Sequence, residues 1–354
     1  TTTTTTTTRN TSCTGYFCNK RLDEIFIVGT HNSLALPGQV LSPNQKYGLA
    51  TQFVDGIRFF NLDLYYDDKD GTVVTRHGPG LVYDPSDQMK ELVTAMTTTP
   101  DNEFVLIQVQ DAVRDTEKIH QFLEDTGFSS RLVKNFDISK TLGDYIQQGQ
   151  DVLLVTNAAA STNASLGIHS TYELVTENDY IWKSCYFDAA PMTYRRGPVS
   201  AQSDRSSFKL MNYFCSLTGT GDIIASDNVN QKHRILYSAR EFIQQDYTGG
   251  IINGILVDYY QKGNVWEVQA QARSSGYDWS DNDCWEDGRT CGQGTTCWYC
   301  CRDAEWWDQK FFTACGPEPC WSRGALCGKG TTCDNCCGGS TSCPWWSFGV
   351  CRCK

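Results

Sequence analysis

The sequence predicts an α/β fold, a (β/α)8 barrel of the TIM type followed by two small disulfide-rich repeats. Three observations predict it. Short apolar runs alternate with helical stretches from Asp23 to about Ala272, the pattern of parallel strands joined by helices. Several of those runs end in polar residues, namely His31, Asp63, His77, Gln110, Asn212 and Asp258. A doubly wound sheet fits the alternation too, but convergent polar strand ends are what the top of a barrel requires. Fourteen of the 18 Cys lie between Cys284 and Cys353, in a Gly-rich tail.

In chain order, the sequence opens on eight Thr, Thr1 to Thr8. This tract has no apolar face to bury and reads as an arm open to O-glycosylation. Extended Thr also suits the sheet edge of another subunit, a route to a homo-oligomer or fibril. No signal peptide is visible, and the sequence is expected to be a mature or truncated form. We place the arm at residues 1–19, the barrel at 20–275, and the repeats at 280–318 and 319–354. Predicted strands are Glu24–Val28, Ile57–Leu64, Thr72–Arg76, Phe104–Gln110, Asp151–Thr156, Phe208–Phe214 and Ile252–Tyr259. Predicted helices are Asp84–Met96, Thr116–Asp125 and His233–Gln245.

The tail holds an internal repeat. Residues 284–301 read CWEDGRTCGQGTTCWYCC and return 36 positions on as CWSRGALCGKGTTCDNCC, residues 320–337. The first unit carries Cys284, Cys291, Cys297, Cys300, Cys301 and Cys315. The second carries Cys320, Cys327, Cys333, Cys336, Cys337 and Cys351, and adds Cys343 and Cys353. An even number of Cys in a short Gly-rich stretch implies disulfides made in an oxidising compartment. A zinc module is the competing reading, but no His follows His233, and zinc sites of this sort draw on paired Cys or Cys/His sets. Units this small cannot fold on an apolar core alone, so bridges carry their stability. The spacing resembles that of knottin-type cystine-knot domains. We expect all fourteen tail Cys to be bonded, with Cys343–Cys353 as the extra bridge, and Cys13–Cys18 and Cys185–Cys215 as the remaining pairs.

The tail is also rich in Trp. Trp279, Trp285, Trp298, Trp306, Trp307, Trp321, Trp345 and Trp346 all fall within it. A stapled unit cannot bury so many indoles. They form either a stacking face for a glycan or the packing of the two repeats on each other and on the barrel. The net charge of −11 argues against a nucleic-acid partner, which needs clustered Lys and Arg. No apolar run approaches the ~20 residues of a membrane span. Sequons at Asn10 and Asn163 accord with a secreted glycoprotein.

The most specific stretches are Val28-Gly-Thr-His-Asn-Ser-Leu34, Gly56-Ile-Arg-Phe-Phe-Asn-Leu-Asp63 and Arg76-His-Gly-Pro79. With the apolar run ending in Asp111, Leu210–Phe214 and Ile255–Tyr260, they resemble the phosphatidylinositol-specific phospholipase C X-domain superfamily over about residues 20–272. The likeness is to its secreted, plant-type X-domain-containing proteins. Two His at the ends of different strands suit general acid/base work on a phosphodiester, since an imidazole both takes and gives a proton near neutral pH. The resemblance implies that His31 assists attack of a neighbouring inositol hydroxyl on phosphorus while His77 serves the other side. The products would be a cyclic phosphate and a free alcohol. Asp258 is placed to orient His31, with Arg58 and Asn212 as substrate-binding candidates.

The calcium-dependent members of the superfamily hold the ion with an Asn after the first His, an E-x-D pair and a later Glu. The matching positions here are Asn32, Asn61 with Asp63, and Gln110. Asp63 alone is charged, so calcium binding is expected to be weak. Metal-free bacterial members place an Arg where Asp63 stands, so that solution is missing as well. The expected activity is therefore a secreted phosphoric diester hydrolase of lipid metabolism, acting on a phosphodiester lipid head group with an eroded calcium site. The alternative is an inactive barrel reused as a structural or glycan-binding subunit of an extracellular assembly.

Overall fold

The computed structural model describes Cys13, residues 15–77, 82–99, 103–180, 192–198, 207–215, 223–274, Trp279 and three short stretches of the tail. The chain forms two compact units, Thr1–Trp279 and Ser280–Lys354.

The strands of the first unit are β1 (Ile27–Thr30), β2 (Phe59–Asp67), β3 (Thr72–Arg76), β4 (Val82–Tyr83), β5 (Val105–Asp111) and β6 (Val152–Thr156), then β7 (Ile168–Ser170), β8 (Val175–Asn178), β9 (Tyr194–Arg196), β10 (Phe208–Asn212) and β11 (Gly254–Val257). Its helices are α1 (Leu49–Val54), α2 (Ser86–Thr98), α3 (Thr116–Asp125), α4 (Leu142–Gln147), α5 (Thr171–Leu174), α6 (Ile223–Val229), α7 (Lys232–Ile243) and α8 (Val265–Ser274). The strand order is β7-β6-β5-β2-β1-β11-β10-β8-β9, parallel throughout except for the last pair. Strands close in sequence are neighbours in the sheet, and the last parallel strand lies beside the first, as a barrel requires.

The sheet is curled. Gln108 on β5 reaches Glu177 on β8, Nε2 to Oε2 3.4 Å, although four strands separate them along the sheet. Among the described residues, however, β7 and β8 form no ladder, so the closed eight-stranded ring becomes a curled half-barrel. The physical reason is local: between these two strands the chain makes only the four-residue α5, too short for a full crossover. A second correction concerns Thr72–Arg76, which pairs antiparallel with the end of β2 and with β4. It is the arm of a hairpin, not a barrel stave.

Alternation along each strand sorts the side chains into two layers. One apolar cluster joins Phe60, Leu62, Ile107 and Val109 to Met89, Leu92, Phe122, Leu236 and Val268 of the helices. The other fills the interior with Ile27, Phe59, Leu106, Leu153, Phe208 and Leu256. Gly29 belongs to the inner layer: a Cβ there would stand 2.7 Å from both Leu256 and Phe59, so the neighbours fill the space. One step of two towards the C-terminal ends, the inward residues turn polar. Phe59 gives way to Asn61 and Asp63, Leu106 to Gln108 and Gln110, and Leu256 to Asp258. That switch makes an apolar plug below a polar mouth.

Trp279 belongs to this first unit. It is 4% exposed, packs edge-on to Phe26 at 5.2 Å, and its carbonyl accepts from Arg240 Nε at 2.7 Å. It is therefore core of the first unit, packed on the barrel and not part of a stacking face. In the second unit Leu326–Cys327 and Thr341–Ser342 flank Cys351–Cys353 in a small antiparallel sheet. The other seven tail Trp, Asn10, Cys185 and the expected tail pairings lie outside the described residues. Cys13 and Cys18 are joined by a disulfide, and Cys215 is disulfide-bonded as well.

Candidate active site

Strand register builds the site. Pairing of Thr30 with Val257 and of Gly29 with Phe59 sets His31 beside Asp258 on one flank and near Asn61 on the other. His31 Nδ1 lies 2.9 Å from Asp258 Oδ1, and both residues are buried. A carboxylate can only accept, so Nδ1 carries the proton and Nε2 holds the free lone pair. The imidazole lies flat on Phe214, with centroids 3.5 Å apart, which restricts its tilt as well as its rotation. Immediately after each dyad member the backbone enters the left-handed region, at Asn32 (φ 44) and Tyr259 (φ 46). Such conformations cost about 1–3 kcal/mol each and persist where the surroundings enforce them.

His77, at the end of the β2–β3 hairpin, completes the constellation. Its Nδ1 is 3.0 Å from Asn32 Nδ2 and 3.8 Å from Asp63 Oδ2. Asn32 thus stands between the two imidazoles, bonded to His77 through its side chain and to His31 through the chain itself. The hairpin explains why a strand outside the barrel carries a site residue: it folds back over the mouth.

Of the remaining candidates, Asn212 closes β10 and exchanges hydrogen bonds with Asn178, Nδ2 to the Asn178 carbonyl at 2.7 Å and its own amide to Asn178 Oδ1 at 2.7 Å. Arg58 is not at the mouth. It sits at the opposite end of β2, on the outer face, bonded to Glu103 Oε2 at 2.9 Å and to the carbonyls of Phe53 and Ile57. Burial pulls its guanidinium below the ordinary value, and Glu103 offsets part of that. Parity explains the displacement: the inward residues of β2 are the odd ones.

The four positions implied for calcium do converge. Asn61 Oδ1 accepts from the Asn32 amide at 3.3 Å and from Gln110 Nε2 at 3.4 Å, and Asp63 pairs with Gln110 in register. Asn32 Oδ1 is buried without a hydrogen-bond partner, which suits a cation. The rest of the set does not. Asp63 is its single carboxylate, and the Asn61 and Gln110 amides are bonded to each other. Among the described residues no three of His, Cys, Asp and Glu are grouped to hold an ion. These donors do not fit a tight calcium site.

Three contributors escape sequence reasoning. Gln108 links Asn61 Nδ2, at 3.4 Å, to Glu177, and Glu177 in turn accepts from Arg195 and Arg196 of β9. Phe214 is the wall behind His31. Asn44, on the loop after β1, is buried and touches Asp258, His31 and Asn32. Gln108 had a visible signal, a second Gln two residues before Gln110 in an otherwise apolar run. Phe214 was visible as the end of the Leu210–Phe214 motif, though not as the wall behind His31, and Asn44 had no signal.

Among solved structures, a phosphatidylinositol-specific phospholipase C of Staphylococcus aureus is 14% identical over 71% of this chain and 93% of its own, with a TM-score of 0.49. A calcium-dependent phosphoinositol-specific phospholipase C of a Pseudomonas species, in its apo form, is 15% identical over 71% of this chain and 94% of its own, with a TM-score of 0.36. No curated protein sequence matches the chain. The family described as PI-PLC X 1 matches residues 17–273. The unit that carries the two histidines is that match, and the chain belongs to the PI-PLC X 1 family.

Proposed function

We propose that the chain is a phosphoric diester hydrolase that cleaves a phosphoinositide or related phosphodiester by a two-histidine, cyclic-phosphate route. The observation that carries this is the His31–Asp258 dyad facing His77 across Asn32, in a chain of this family. His31 Nε2 takes the proton of a hydroxyl adjacent to the phosphate. The hydroxyl oxygen bonds to phosphorus as the bond to the lipid alcohol breaks, and His77 returns a proton to the departing oxygen. Asp258 stabilises the imidazolium formed in the first transfer. Asn212 remains a substrate-contact candidate through its place at the end of β10.

Secretion is part of this reading, supported by the bonded Cys13, Cys18 and Cys215 and by the Cys-rich tail. So are glycosylation, weak calcium binding and self-association through the Thr arm and the repeats. No helix among the described residues is long and apolar enough to cross a membrane. The test is release of cyclic inositol phosphate from phosphatidylinositol vesicles by the whole chain, with His31→Ala as control.

One observation favours the second reading, an inactive barrel serving as a structural or glycan-binding subunit. The calcium positions are held by amides bonded to one another, which leaves little to balance the charge that builds on phosphorus. Absence of release with and without calcium, in a correctly folded protein, would select it.

A further inference from the structure

The loop between β1 and α1 brings a buried side chain against both halves of the site. Asn44 is 1% exposed. Its Nδ2 donates to Asp258 Oδ1 at 3.0 Å and lies 3.4 Å from His31 Nδ1. Its Oδ1 accepts from Asn32 Nδ2 at 3.4 Å, and the same Asn32 nitrogen meets His77. The backbone holds this side chain in place: Tyr259 N donates to the Asn44 carbonyl at 2.8 Å, and Asn44 N to the Ala35 carbonyl at 2.9 Å. The Tyr259 hydroxyl bonds the Pro43 carbonyl at 2.6 Å. The adjacent Gln45 Nε2 donates to the carbonyls of His31 and Val257 at 2.9 and 3.0 Å.

We infer that Asn44 is a positioning residue, which orients the Asp258 carboxylate towards His31 Nδ1–H and, through Asn32, sets His77 against the same reaction centre. The argument is one of donors and acceptors. The Asn44 amide has one orientation that satisfies both neighbours, oxygen to Asn32 and nitrogen to Asp258. In that orientation two donors, Nδ1–H and Nδ2–H, converge on Asp258 Oδ1, which stops the carboxylate from turning its other oxygen inward. With the carboxylate fixed, the imidazole has one favourable tautomer, and Nε2 is free for the hydroxyl. An apolar residue at 44 leaves Asp258 free to rotate and Asn32 without its second acceptor.

This rests on the two-histidine reading for its kinetic arm only. The first readout is the 15N shift pattern of the five imidazoles, taken at about pH 9, where unperturbed His is neutral. His31 of the unsubstituted protein should show a protonated Nδ1 and a bare Nε2. In Asn44→Ala and in Asn44→Leu, which keeps the branching at Cγ without its polar atoms, the His31 resonances should move towards the average of two tautomers. With phosphatidylinositol vesicles, kcat should fall ten- to a hundredfold while KM stays within about twofold, as for loss of an orienting contact. An unchanged tautomer in folded variants would overturn the inference. So would a proton found on Nε2 in the unsubstituted protein, which needs no variant to fold. If the unsubstituted protein has no turnover, the function reading fails while the tautomer experiment still decides the role of Asn44.

Discussion

The rings of His31 and Phe214 lie 8° from parallel with their centroids 3.5 Å apart, so the candidate base is held by an aromatic face as well as by a carboxylate. Tyr180 stacks on Phe214 with centroids 5.7 Å apart, and Arg195 lies over the Tyr180 ring at 4.1 Å. Phe214→Ala should destabilise the fold by about 3–5 kcal/mol, as truncation of a buried Phe does. Phe214→Leu should cost less and still lower turnover, because the imidazole loses its flat support. Thermal melts and vesicle assays on both variants separate packing from orientation.

Asp258→Asn should lower turnover by about 10²–10⁴-fold, the range for an acid/base partner, with the fold intact. An Asn can offer Nδ1 a donor, which favours the wrong tautomer. A variant that keeps most of its rate would remove Asp258 from the mechanism.

Calcium should bind no tighter than about the millimolar range of weak extracellular sites. Gln110→Glu combined with Asn61→Glu adds two carboxylates beside Asp63 and should tighten binding at least tenfold by calorimetry. Turnover should rise with occupancy if the site is an eroded phospholipase centre.

His169 should make the protein acid-sensitive. It is buried on β7 with Nε2 2.8 Å from the Val133 carbonyl, and burial lowers its pKa in the folded state. The unfolded chain therefore takes up the proton first. The stabilisation is complete above about pH 6.5 and is lost as pH falls towards the lower folded value. Denaturant titrations at several pH values should show that slope, and His169→Gln should flatten it.

The fourteen tail Cys should all be bonded. Alkylation without reduction should then add no mass to the peptides that cover Cys284 to Cys353, and metal analysis should find no zinc. Tagged thiols there would return the zinc module to consideration.

What the sequence made legible followed from strong local patterns. The run Phe104–Gln110 is apolar apart from Gln108 and Gln110 and reads as a buried strand. The dyad was readable because His31 and Asp258 each end such a run. The weak strands β7, β8 and β9 were not, since three or four residues with Ser, Thr, Glu and Arg carry no period. Glu177 and Asn178 were hidden for that reason. Arg58 is a substrate-binding candidate by its place in the Gly56–Asp63 motif, whereas counting from Asp63 in steps of two puts it on the outer face. Asn44 lies in an irregular loop, where side-chain direction has no sequence signature at all.

The bond between His31 and Asp258 spans 227 positions of sequence, because the first and last strands of the sheet lie side by side. High contact order of this kind slows folding, and it also imposes an order of events. A chain still lacking β11 has an unpaired edge on β1 and an imidazole with no carboxylate to hold its proton. Such a fragment can bury much of its apolar surface and yet have no base. On the proposed function, turnover through His31 would report completion of the whole unit, and a nascent or clipped chain would lack it until its final strand docks.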